Sequence, residues 1–138
     1  MARRHILDTN ILSDLLNDPA GRVARKIASL SAEDRDSLAT SIIVAAELRY
    51  GAVKRGSAAL TGRVEQLLSA IDVLPFEADA DRHYGVIRAR LEKAGTVIGA
   101  NDLLIAAHVL AVDAVLVTDN VREFKRVEGL RIENWLRL

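Results

Sequence analysis

Four short stretches of this sequence carry side chains able to do chemistry, and three of them centre on a carboxylate. These are Asp8 in Leu7-Asp8-Thr9-Asn10, Glu47 in Ala46-Glu47-Leu48, and Asp102 in Gly99-Ala100-Asn101-Asp102; the fourth is Thr118-Asp119-Asn120. Cysteine is absent and none of the four stretches holds a histidine, which argues against a zinc site. No Ser–His pair or lysine nucleophile is evident. If the four stretches converge, several carboxylates share one cleft, and like charges cannot all stay ionised unaided. A hard divalent cation resolves that repulsion. Mg²⁺, with Mn²⁺ as the alternative, takes oxygen ligands and keeps several waters. Such an ion lowers the pKa of a bound water and offsets charge on a phosphate. Hydrolysis of a phosphodiester is the reaction this equipment suits best.

The surrounding elements decide whether these acids can meet. The apolar run ending at Leu7 reads as a strand that stops at Asp8, and Thr9 and Asn10 favour a helix start. Ile11, Leu12, Leu15 and Leu16 recur at helical spacing. Asp8 therefore sits at the carboxyl end of the first strand, where ligands bind in open parallel sheets; a plain helix cap is the structural alternative. After the turn Asp18-Pro19-Ala20-Gly21, a second helix carries Val23, Ile27 and Leu30, and Glu33 to Asp36 reads as a solvated connector. Residues Ser37 to Thr40 form a short buried strand, with Ser41 as N-cap of a helix from Ile42 to about Arg55.

Within that helix Ile43, Val44, Glu47, Tyr50 and Gly51 share one stripe. An ionised Glu47 on an apolar face is costly unless a cation or donors meet it; an ion pair with Arg49 or another arginine is the structural alternative. A helix around Leu60 to Leu68, a strand Ile71 to Leu74 and a helix from about Asp79 to Ala94 follow, the last closed by Gly95. Asp102 opens a helix that is apolar almost all round and hence buried; His108 on it reads as a core residue, outside the site. Ala114 to Val117 is a strand ending in Thr118-Asp119-Asn120. Leu130 to Asn134 alternates as an exposed edge strand, with Trp135 and Leu136 pinning the tail. Strands alternating with helices predict a parallel sheet covered on both faces.

Composition sets the outer limits. The 138 residues suit one domain over 1–138, 50% apolar and only 4% aromatic, so its core is aliphatic. No apolar run reaches the ~18 residues of a membrane span, and Asp8 interrupts any signal-peptide core. With no cysteine, the expectation is a cytoplasmic protein without membrane contact. Nineteen basic and 19 acidic residues balance to zero net charge, so charge alone points to no nucleic acid. Arg49, Lys54, Arg55, Arg122, Lys125 and Arg126 are candidates for phosphate contact, against the plain reading of a solvated face.

Taken together, Leu7-Asp8-Thr9-Asn10, Ala46-Glu47-Leu48-Arg49-Tyr50-Gly51, the run Ile98 to His108, Val117 to Phe124 and the tail Val127 to Trp135 resemble a PIN domain, in particular the VapC toxins of bacterial type II toxin–antitoxin systems. The resemblance spans nearly the whole chain. It implies a three-layer α/β/α fold with a parallel sheet of about five strands. It implies a Mg²⁺-dependent endoribonuclease that cuts tRNA or another structured RNA. It also implies a homodimer, a VapB-type antitoxin, and a joint complex on promoter DNA. Carried over, Asp8, Glu47 and Asp102 take the three acidic positions. Asp8 and Asp102 are then the main metal ligands, with Glu47 as ligand or water-orienting base. The fourth position falls on Asn120 or Asp119, and Thr118 and Asn10 support the site. Two rivals stay open. One is a metal-dependent phosphatase or phosphotransfer domain, although Asn10 stands where haloacid-dehalogenase-type phosphatases want a second Asp. The other is a PIN-like binding module without catalysis, although the first three acids are intact.

Overall fold

The computed structural model describes residues 3–137. Its frame is a five-stranded sheet of β1 (His5–Leu7), β2 (Leu38–Ser41), β3 (Asp72–Leu74), β4 (Val115–Val117) and β5 (Arg131–Glu133). The spatial order is β3-β2-β1-β4-β5 and every pairing is parallel, with helices on both faces. Parallel strands buried on both faces read as continuous apolar runs, and β4 is fully buried along its length. The predicted fold class holds. Among the described residues no helix is long and apolar enough to cross a membrane.

Register matters more here than strand length. Leu7 of β1 lies opposite Val117 of β4. The next residue on each strand, Asp8 and Thr118, therefore emerges side by side at the carboxyl edge. The Asp8 amide donates to the Val117 carbonyl at 2.9 Å, which extends the ladder to the acid itself.

Each strand hands its chain to a helix. After β1 comes α1 (Thr9–Asn17), with Asp8 as N-cap accepting from the Thr9 amide, so the capping reading of Asp8 is correct. The helix α2 (Arg22–Ser29) precedes α3 (Ala32–Asp36). That short helix corrects the reading of Glu33 to Asp36 as a connector. Ser31 caps it, and Glu33 and Asp34 lie in its first turn, where the helix dipole favours acids.

Ser41 ends β2 and caps α4 (Ile42–Arg55) by accepting from the Ile43 amide. Next comes α5 (Ala58–Ser69). Beyond β3, α6 (Ala80–Ala94) begins one residue later than expected, because Asp79 takes a left-handed backbone at φ 82°. Gly95, at φ 71°, ends it.

The apolar α7 (Ala100–Ala111) is buried along most of its length, as its sequence demands. His108 is a core residue on it, with Nδ1 2.7 Å from the Ser41 hydroxyl. Burial pulls its pKa down, so it stays neutral. After β4, the one-turn α8 (Val121–Phe124) drives Phe124 fully into the core. Full burial of such a side chain contributes about 1.5–3 kcal/mol. That fixes the orientation of the residues around it.

Candidate metal and catalytic site

Asp8 is almost fully buried, with 3% of its surface exposed. Only neutral donors meet it. Thr9 N donates to Oδ1 at 2.8 Å, and the Thr118 hydroxyl and Asn10 Nδ2 donate to Oδ2 at 2.7 and 3.4 Å. Burial pushes the Asp8 carboxyl above its usual range. The bonds from Thr118 and Thr9 oppose that shift, and the nearby charge of Glu47 adds to it.

Glu47, half-buried on α4, is held from two sides. The Thr9 hydroxyl donates to its Oε1 at 2.6 Å and Asn101 Nδ2 to its Oε2 at 3.3 Å. The ion pair with Arg49 does not form, because Arg49 binds Glu65 in a two-pronged contact at 2.8 and 2.9 Å. Tyr50, expected on the same inward stripe, is 65% exposed; the buried stripe is Val44, Ala45, Leu48 and Ala52, which leaves Glu47 on its border, facing the cleft.

Asp102 projects from the first turn of α7. Asn120 Nδ2 donates to its Oδ2 at 3.2 Å and to Glu123 Oε2 at 2.9 Å. One amide thus ties two carboxyls together. Asp102 is pushed up to about 7, first by burial, then by its bond to Glu123, and then by the charges of Asp8, Glu123 and Glu47. Glu123 moves the other way, because Asp102 and Asn120 both donate to it.

The structure therefore gathers Asp8, Glu47, Asp102, Asn120, Thr118 and Asn10. It also adds Glu123, which the sequence reading passed over. The signal was available: Asn120 and Glu123 stand three apart across one helical turn and so share a face. Asp119 lies at the rim with its carboxylate turned away. Its backbone amide donates to Asn10 Oδ1 at 2.9 Å. Its side chain accepts from Asn134 at 3.0 Å and Arg137 at 2.8 Å, which hold its pKa below the usual range.

None of the four cleft carboxylates forms an ion pair among the described residues. No three of their kind are drawn into a ready-made ligand set either, since amides and hydroxyls stand between them. The donor chemistry fits a hard cation: carboxylate oxygens without nitrogen or sulfur, with burial first and neighbouring negative charge after it raising the Asp102 carboxyl. Asp8, Glu47, Asp102 and Glu123, joined through neutral hydroxyls and amides, are a donor set of the chemical kind that a hard cation takes.

The PIN domain family matches residues 5–130 of the chain. Ribonuclease VapC2 of Rickettsia felis is 38% identical over 132 residues, spanning 95% of this chain and 97% of that protein. The tRNA(fMet)-specific endonuclease VapC of Shigella flexneri is 38% identical over 138 residues, covering 96% and 98% of the two. Among solved structures, the chain resembles VapBC2 from Rickettsia felis bound to a DNA fragment from their promoter. The TM-score is 0.81 at 36% identity, with 95% of this chain and 98% of that chain covered.

Proposed function

Because the chain belongs to the PIN-domain family and, within it, to the VapC ribonucleases, we propose that it is the toxin of a type II toxin–antitoxin pair and hydrolyses phosphodiester bonds in RNA through the acidic cleft. The observation that carries this reading is the meeting of Asp8, Glu47, Asp102 and Glu123 at the carboxyl edge of β1 and β4, with no ion pair to any of them among the described residues. Zero net charge for the whole molecule is compatible with it, since local carboxylates offset basic groups elsewhere.

Asp8 and Asp102 would hold the ion, with Glu47 as ligand or water-orienting base and Glu123 beside Asp102. When bound, a divalent ion lowers the pKa of a water and offsets the negative charge that gathers on the phosphate. The protein's own part is orientation. Thr118 and Asn10 hold Asp8 Oδ2 while the Thr9 amide holds Oδ1, the Thr9 hydroxyl and Asn101 hold Glu47, and Asn120 bridges Asp102 and Glu123. A cation held there would favour the ionised form of Asp102.

The finer assignments are part of the same proposal. Mg²⁺ is the ion, since the oxygen donor set is of the kind it prefers and bound water completes its shell. The RNA is tRNA, in keeping with the name of the Shigella relative. A VapB-type antitoxin neutralises the enzyme, the toxin is a homodimer, and the joint complex sits on promoter DNA, as the Rickettsia complex does on its own. The protein acts in the cytoplasm.

The test uses purified protein and Asp8→Asn on total tRNA, with Mg²⁺ and with EDTA. Discrete fragments are expected only from the wild type with metal. Cleavage that survives EDTA or Asp8→Asn would sink the metal mechanism.

A further inference from the structure

Next to the acidic centre a groove of about 220 Å³ runs between α1 and α4, closed below by α5. Two helical stripes wall it. Thr9, Ser13, Leu16 and Asn17 recur on α1, and Leu48, Gly51, Ala52 and Arg55 on α4, each at the spacing of one helix face. At one end the groove shares Glu47 and Thr9 with the catalytic centre, joined by their 2.6 Å hydrogen bond. Arg55 lies at the other end, eight residues further along α4 and so about 12 Å from Glu47. The floor is aliphatic, from Leu48, Ala52, Leu60 and Val64.

Three observations say what would fill it. The polar side chains of the groove away from the acids, Ser13, Asn17 and Arg55, make no hydrogen bond or ion pair among the described residues, so their donors and acceptors remain available. An aliphatic floor with a few convergent polar groups is the usual composition of a ligand site. The volume is below that of a drug-sized pocket and suits a single ring system.

Gly51 supplies the third. A glycine inside a helix weakens it relative to alanine, and a Cβ built at Gly51 meets nothing within 4 Å. Packing within the chain does not require a glycine there. Its absent side chain keeps the groove open.

Resting on the nuclease reading, we infer that this groove is a nucleotide subsite of the same active centre. With the scissile phosphate at the acids, one neighbouring base lies on the aliphatic floor, Ser13 and Asn17 meet its polar edge, and the Arg55 guanidinium meets the next phosphate. The charge pattern favours RNA over a protein segment as occupant, because Arg55, the cation among the lining residues described, stands along the groove from the acids at which the scissile phosphate would lie.

The experiment measures kcat and KM with the full chain on a short single-stranded oligoribonucleotide that the wild type cleaves. The base is removed at one position at a time on either side of the cut. For the wild type, one flanking abasic position is expected to raise KM about tenfold. Gly51→Leu fills the groove and should raise KM by a similar factor on the intact oligonucleotide, with kcat little changed and no further loss on the abasic one. Arg55→Ala should raise KM and flatten its dependence on salt. Equal wild-type cleavage of every abasic oligonucleotide, additive losses in Gly51→Leu, or Gly51→Leu active on all RNAs would overturn the subsite while leaving the nuclease reading intact. That last result would hand the groove to a protein segment. No cleavage by the wild type in any RNA would refute the nuclease reading, and the subsite with it.

Discussion

Asp102 titrates against its surroundings, and the sign of that effect is measurable. Its carboxyl is pushed up from 3.8 to about 7 in the fold, by burial first and then by Glu123, Asp8 and Glu47. A carboxyl raised in the folded state keeps its proton there while the unfolded chain has already lost it. The metal-free fold therefore loses stability as pH rises from about 4 to 7, and the loss levels off above that. Asp8, raised by burial, acts in the same direction. A cation must displace the proton, so its affinity climbs over the same window. We expect the melting temperature in EDTA to fall across that range, and the gain on adding Mg²⁺ to be larger at pH 8 than at pH 6; equal gains would mean that Asp102 holds no metal. Glu123→Gln removes a like charge and an acceptor from Asp102. It should move the acid limb of kcat/KM to lower pH while reducing kcat, two effects that a purely structural glutamate would not produce together.

At the scale of elements, the strand-end segment 118–120 splits its work, and only part of that division is legible in the sequence. The ends of β1 and β4, the span of α4 and the inward placing of Asp8, Glu47 and Asp102 follow from apolar runs, caps and spacing, because burial and helical period act locally. Which of Asp119 and Asn120 faces the acids depends on one turn of backbone and on the distant tail, which no local pattern encodes. The structure turns Asn120 inward to Asp102 and Glu123, and Asp119 outward to Asn134 and Arg137. Glu123 was hidden for a related reason. Set among Arg122, Lys125 and Arg126 it carries no local mark of the site, and the burial of Phe124 fixes α8 so that Glu123 faces Asp102. The solvated look of Glu33 to Asp36 misled in the same way, since a one-turn helix needs only its cap. Asn120→Ala should therefore abolish cleavage or reduce it severely. Asp119→Ala should keep metal-dependent activity and lower only stability, by about 1 kcal/mol or less, because Arg137 is 75% exposed and such pairs are weak. The reverse pattern in a cleavage assay would reassign the fourth position to Asp119.

For the molecule as a whole, the acidic cleft would repel the phosphates of the proposed RNA substrate. With 19 acids against 19 bases, no excess positive field draws in RNA. The attraction has to come from individual side chains near the cleft, and much of the basic complement is already engaged. Arg49 binds Glu65, Arg126 donates to the Val97 carbonyl, and Lys54 lies 5.8 Å from the Tyr50 ring centroid. Among the described residues Arg55, Arg122 and Lys125 form no ion pair; Arg55 lines the groove that holds Glu47, and Arg122 and Lys125 stand beside Glu123 and Phe124 in the chain. Each phosphate neutralised on a single strand contributes about −0.7 to the slope of log affinity against log salt. Three such contacts predict a slope near −2, well short of what a strongly basic nuclease would show. Binding of Asp8→Asn to an uncleaved oligoribonucleotide across a salt series measures it directly. A slope of about −2, reduced by one contact in Arg55→Ala and by another in Lys125→Ala, would place the RNA along this path. A slope several times steeper would mean that a second copy or a partner chain supplies the missing cations, and that the isolated subunit binds RNA incompletely.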